Sequence, residues 1–150
     1  LIIDHSQEID FIIRSKEELS DDLKSKTFKN GYLPHSEALD EMRECDCLLL
    51  PLAQTKKFND ISDVTSPLKL FEYLASGSPI IASRAQVLQE ILTEGVNCLM
   101  ADDADEFYSK LKLVGNDMIF RRKLVSNGLQ DSLRYSYEER ARKISLIMGN

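Results

Sequence analysis

Lys69 and Glu72 stand three positions apart in the run Ser66-Pro67-Leu68-Lys69-Leu70-Phe71-Glu72, and their types suit two parts of one ligand. Ser66 is a favoured N-cap, and Pro67 suits the first helical position, where its missing N–H costs nothing and its fixed φ matches the turn. A helix starting there leaves the backbone N–H groups of Leu68 and Lys69 without intrahelical partners. The positive end of the dipole lies behind them, and Lys69 adds a mobile ammonium. Such a start seats an anion, a phosphate above all. Glu72 lies one turn further in, where a carboxylate repels phosphate unless it accepts hydrogen bonds from hydroxyls attached to that phosphate. A ribose offers those hydroxyls. The same Lys and Glu also fit a plain i,i+3 pair on a solvated face, contributing about 0.2–0.5 kcal/mol.

The elements that must hold these residues are legible around them. Leu68, Phe71, Leu74 and Ala75 recur at spacings of three and four and predict an inward stripe, with Lys69, Glu72, Tyr73 and Ser76 on the other side. Gly77 is the expected left-handed stop, Pro79 cannot continue the helix, and Ile80-Ile81-Ala82 reads as a strand buried on both faces of a parallel sheet. Upstream, Phe11-Ile12-Ile13 and Thr27-Phe28-Lys29 read as strands, with a short polar helix over Lys16 to Lys26 between them. Leu1 to Glu8 reads as the last turns of a helix. Gly31 to Pro34 is then a turn at a strand's carboxyl end, the edge at which open α/β sheets gather ligands.

Further along, Ser36 to Glu44 reads as a helix and Cys47 to Leu50 as a strand, followed by a long polar loop, Ala53 to Thr65, which carries Lys56 and Lys57. Ala85 to Thr93 is expected to be helical, Val96 to Met100 a last strand, and Asp105 to Val114, Asp117 to Gly128 and Tyr137 to Ile147 three closing helices. Strands alternating with helices predict an α/β fold, a doubly wound, Rossmann-like parallel sheet with helices on both faces.

Several tempting residues have plainer readings. His35, one of two histidines, precedes the Ser36 cap and reads as a surface residue; Arg14 reads as a solvated strand end. Asp46 suits a turn, and Glu90 a structural place on its helix. Asp102, Asp103 and Asp105 suit a cap and first helical turn, where carboxylates offset the dipole, and require no metal. Cys45 and Cys47 alternate along a strand without the second ligand pair that zinc needs.

With 150 residues, 43% hydrophobic and 29% charged, the chain is long enough for one domain with a sizeable core. A net charge of −6, with no basic stripe, argues against a domain whose main task is to hold nucleic acid. Three cysteines without framework spacing predict reduced thiols in a cytosolic compartment. Opening at Leu1 directly into apolar residues, the sequence is expected to be N-terminally truncated, lacking a first strand and part of a first helix.

Taken together, Ser66 to Ser83, Gly31-Tyr32-Leu33-Pro34-His35-Ser36-Glu37, Cys45 to Leu52 and Val87 to Leu99 resemble, in order and spacing, the C-terminal half of the second domain of GT-B fold glycosyltransferases of the family-4 type. The resemblance implies a retaining enzyme that uses a nucleotide-diphosphate sugar in polysaccharide or glycoconjugate biosynthesis. Residues 1–150 would be its nucleotide-sugar-binding domain. Ser66, Pro67, Leu68 and Lys69 would hold the donor diphosphate, Glu72 the ribose hydroxyls, and the backbone at Leu33 and Pro34 the base. No catalytic side chain, metal or cofactor is expected from this stretch. Two positions depart from the family pattern: Val64, beside Asp63, stands where members commonly carry a second glutamate, and Arg14-Ser15 replaces a strand-end glycine pair. The resemblance further implies a missing N-terminal acceptor domain and a cytoplasmic location, at the inner face of the membrane through that domain.

Two other readings share the architecture. A non-catalytic regulatory or scaffolding domain would keep the fold and bind protein. A nucleotide-sugar epimerase would need paired acids and histidines near the sugar.

Overall fold

A computed structural model describes residues 9–14, 21, 29–52 and 68–149 of the chain. The polar loop with Lys56, Lys57, Asp63 and Val64, the capping pair Ser66 and Pro67, the helix read over Leu1 to Glu8 and the strand residues Thr27 and Phe28 lie outside the described residues. Of the helix read over Lys16 to Lys26, only Asp21 is described, and it is helical.

In chain order the elements are β1 (Ile12–Arg14), β2 (Lys29–Gly31), α1 (His35–Glu44), β3 (Leu48–Leu50), α2 (Leu68–Ser76), β4 (Ile80–Ser83), α3 (Gln86–Gln89), β5 (Leu99–Ala101), α4 (Ala104–Asn116), α5 (Met118–Ser132), a 3-10 turn (Leu133–Tyr135) and α6 (Tyr137–Met148). All described strand pairs are parallel. β1 lies beside β2, with Arg14 opposite Gly31, and β3, β4 and β5 form a second group with β4 in the middle.

Alternation along the strands sorts the core into two layers. Leu50, Ile80, Ala82, Cys98 and Met100 face one way and pack with Leu70 and Leu74 of α2 and with Leu88 and Leu92. Ile81, Leu99 and Ala101 face the other way and pack with Phe107 and Val114 of α4 and Leu124 of α5. Both faces of the central strand are therefore sealed, the environment that unbroken apolar runs such as Ile80-Ile81-Ala82 predict. The expected Rossmann-like α/β architecture is the one observed.

The inward stripe of α2 differs from the expected one. Leu70 and Leu74 are buried, whereas Leu68 is 78% exposed. Phe71 and Tyr73 are half-buried, and Ala75 faces solvent. The helix Leu68-Lys69-Leu70-Phe71-Glu72-Tyr73-Leu74 is apolar around much of its girth, so spacing alone admits two stripes. The neighbour that covers one of them is α5, which packs against α2 with Gly128 beside Leu74. A Cβ at Gly128 would meet Leu74 at ordinary van der Waals distance, and α5 runs straight through the position at which its end was expected.

Buried polar groups are met. Ser78 Oγ lies 2.9 Å from Met42 O and 3.0 Å from Cys45 O, so its hydroxyl serves the carbonyl end of α1. Asn97 Nδ2 donates to Asp131 Oδ2 at 2.8 Å, and Asn97 Oδ1 accepts from the Thr93 amide at 2.8 Å. That second bond holds the turns between α3 and β5, where a helix reaching Thr93 was expected and only Gln86–Gln89 is helical.

Candidate functional site

Parallel strands joined through a helix put the start of that helix at their carboxyl ends. α2 connects β3 to β4, so Leu68 and Lys69 open at the carboxyl edge of the three-stranded group. The chain leaving β3 is pinned there: the Leu52 amide donates to Ser83 Oγ at 2.9 Å, and the Ser83 hydroxyl lies 3.3 Å from the Leu52 carbonyl. β4 thus braces the floor from which the segment leading to α2 departs.

The first turn of α2, like those of α3 and α5, carries no carboxylate. α1, α4 and α6 each carry a carboxylate in the first turn, whereas α2 carries none and instead presents Lys69. Both Leu68 and Lys69 are exposed. An anion brought to this start meets amides, a dipole and an ammonium, with no acid in that turn to repel it.

Glu72, one turn on, is two-thirds buried and faces a different element. Its Oε1 lies 3.8 Å from Nε2 of His35, with side-chain exposures of 32% for Glu72 and 71% for His35. His35 is the first residue of α1, directly after the turn that contains Leu33 and Pro34. Gly31 makes that turn with φ +100°, a backbone region that favours glycine. Leu33 is half-buried, and Pro34 is exposed, at the capping position of α1, where its carbonyl accepts the Ala38 amide at 3.0 Å.

Glu72 on α2 is thus brought to His35, the residue that follows the Leu33–Pro34 turn. Leu68 and Lys69 sit one turn from that acid, and Ser66 and Pro67 lie outside the described residues. His35 is on the surface as expected, yet its imidazole faces Glu72; its place right after the Leu33–Pro34 turn was the available signal.

Arg14 departs from its expected role as a solvated strand end. Its Nε and Nη2 donate to the two carboxylate oxygens of Glu41, each at 2.7 Å, with side-chain exposures of 25% and 13%. The bond ties the carboxyl end of β1 to α1. A second arginine at the carboxyl edge, Arg84, is also engaged, donating from Nε to Asp102 Oδ2 at 3.1 Å and lying 3.7 Å from Glu94. Asp103 caps α4 by accepting the Glu106 amide, the role its position predicts, and Asp46 accepts from Arg121 at 3.0 Å, a long-range partner that no local pattern announced. Among the described residues no group of three or more His, Cys, Asp or Glu side chains is placed to hold a metal ion. Among those residues, too, no helix is long and apolar enough to cross a membrane.

Solved structures share this fold. HepE of Anabaena in complex with UDP superposes with a TM-score of 0.68 at 17% identity, over 85% of this chain and 33% of that one. A sucrose-phosphate synthase from Thermosynechococcus elongatus gives 0.66 at 19% identity, over 85% and 30%. A glycosyltransferase from Rickettsia africae gives 0.67 at 13% identity, over 98% and 42%. At such identities the likeness is one of fold, that of the Rossmann-like domains of GT-B enzymes. The chain spans about a third of the length of HepE. No curated protein matches it by sequence. The sequence profile described as glycosyl transferase-like matches residues 3–145, nearly the whole chain, and the protein therefore belongs to the glycosyl transferase-like family.

Proposed function

We propose that this chain is the donor-binding domain of a retaining glycosyltransferase of the family-4 type. The observation that carries the reading is the approach of Glu72 to His35, the residue after the Leu33–Pro34 turn, one turn from a helix start that bears Lys69. A nucleotide-diphosphate sugar laid along this edge has its pyrophosphate on the Leu68 and Lys69 amides, completed by Ser66 and Pro67. Its ribose hydroxyls reach Glu72, and its base lies against Leu33 and Pro34. UDP bound to HepE, a protein of like fold, supports a nucleoside diphosphate as the ligand class.

Transfer in this reading is positional and electrostatic. Amides and the Lys69 ammonium stabilise the charge that develops on the departing nucleoside diphosphate, while an acceptor held by a further domain attacks the sugar. No cofactor or metal enters the scheme, and the place of work is the cytoplasm, on the inner side of the membrane where such a domain would dock.

Calorimetric titration of the full-length protein with UDP, GDP and ADP tests the reading. One of the three binds, and Glu72→Ala weakens it about tenfold, within the range for a hydrogen bond to a charged group. Absence of binding by all three would favour a scaffolding domain that has kept only the architecture.

A further inference from the structure

We propose that His35 is a specificity-determining residue that shares the ribose hydroxyls with Glu72, so that the donor site selects ribonucleotides through a two-residue clamp. The inference rests on the donor-site reading above and adds to it a residue on a different helix.

The 3.8 Å between His35 Nε2 and Glu72 Oε1 is too long for a direct hydrogen bond. It is short enough that one hydroxyl oxygen can sit about 2.8 Å from both atoms, or that two neighbouring hydroxyls can take one partner each. The chemistry of the two groups is complementary toward such a guest. Glu72 as a carboxylate only accepts, so a hydroxyl must spend its single proton there. That hydroxyl keeps its lone pairs, and an imidazole N–H at Nε2 donates into them. A phosphate in the same place would meet the carboxylate's repulsion, and an apolar group would leave both polar atoms unmet.

Placement supports the same guest. His35 follows the Leu33–Pro34 turn without a spacer, and Glu72 follows the Lys69 helix start by one turn. The clamp therefore stands between the proposed base and pyrophosphate subsites, where the sugar of a nucleotide lies. Because the imidazole is 71% exposed, it is open to a ligand and contributes little to the core.

The test uses the full-length protein and the nucleoside diphosphate that binds it most tightly, alongside its 2′-deoxy and 3′-deoxy forms. His35→Ala should weaken the ribonucleotide about three- to tenfold and at least one deoxy form less than twofold. His35→Gln, which retains a donor, should recover part of the loss. Equal losses for all three nucleotides, or none for the ribonucleotide, would overturn the clamp while leaving the donor site standing if Glu72→Ala still impairs binding. Should none of the three nucleoside diphosphates bind the unaltered protein, the donor-site reading falls and the clamp with it.

Discussion

His35 Nε2 stands 3.8 Å from Glu72 Oε1, joining the first residue of α1 to the second turn of α2. Far apart in sequence, the two residues meet because α1 and α2 each begin at a strand's carboxyl end and pack against one another. The contact turns a loop and a helix, each readable separately, into one edge with a base end and a phosphate end. Consequences for the charges, the supports and the core of this edge can be measured separately.

Lys69 is expected to act on phosphate alone. Lys69→Ala should weaken a nucleoside diphosphate several-fold while hardly affecting the matching nucleoside, and the difference should shrink as salt rises, because an exposed ammonium is screened over about 10 Å at 0.1 M. Titrations at low and high ionic strength check this; a loss independent of salt would place Lys69 outside the seat.

Arg14 and Glu41 should matter for stability and for the position of α1. Their two-toothed bond is half-buried, and Arg14 is held above its ordinary pKa first by the hydrogen bond to Glu41 and, in the opposite direction, lowered by burial. Arg14→Lys cannot reproduce the fork. Arg14→Ala is expected to cost about 1–3 kcal/mol in a denaturant titration, with Arg14→Lys recovering only part of it. An unchanged unfolding midpoint in Arg14→Ala would show that the bond holds nothing together.

Two thiols give the fold an alkaline limit. Burial is the main reason that Cys47 and Cys98 are pushed up to about 12 from an ordinary 9.0, with Arg121 partly offsetting the rise at Cys47. A raised folded-state pKa means that this stability is fully present below the unfolded value and is lost as pH climbs from 9.0 towards about 12. Each thiol should contribute a fall of about 1.4 kcal/mol per pH unit at its steepest. Unfolding free energies at pH 8, 9 and 10 should decline, and Cys98→Ala should reduce that slope by about half of the thiol contribution. A slope that Cys98→Ala does not change would contradict the assignment.

Much of this was legible in the sequence, and the misses share a cause. The alternation of strands and helices, the Gly77 stop before β4 and the Asp103 cap of α4 follow from local chemistry, and the structure contains them. The inward face of α2 was misread because Leu68, Leu70, Phe71 and Leu74 supply more apolar positions than one stripe needs. Leu70 and Leu74 are the ones buried, on a helix packed against α5, which is distant in sequence. The helix read over Asp117 to Gly128 continues to Ser132, since a single glycine inside a helix costs only about 1 kcal/mol relative to alanine. Arg14 read as solvated because its partner, Glu41, lies on α1, 27 positions away, and belongs to no local pattern. In the site, the turn at Leu33–Pro34 and the acid at Glu72 could be located, but their adjacency through His35 needed three dimensions.

The most direct measurement is a crystal structure of the full-length protein with the nucleoside diphosphate that binds it most tightly. The account predicts pyrophosphate oxygens within hydrogen-bond reach of the Leu68 and Lys69 amides, a ribose hydroxyl on the Glu72 carboxylate, and the base beside Leu33 and Pro34. A nucleotide seated elsewhere, or one bound here with its ribose turned away from Glu72, would contradict it.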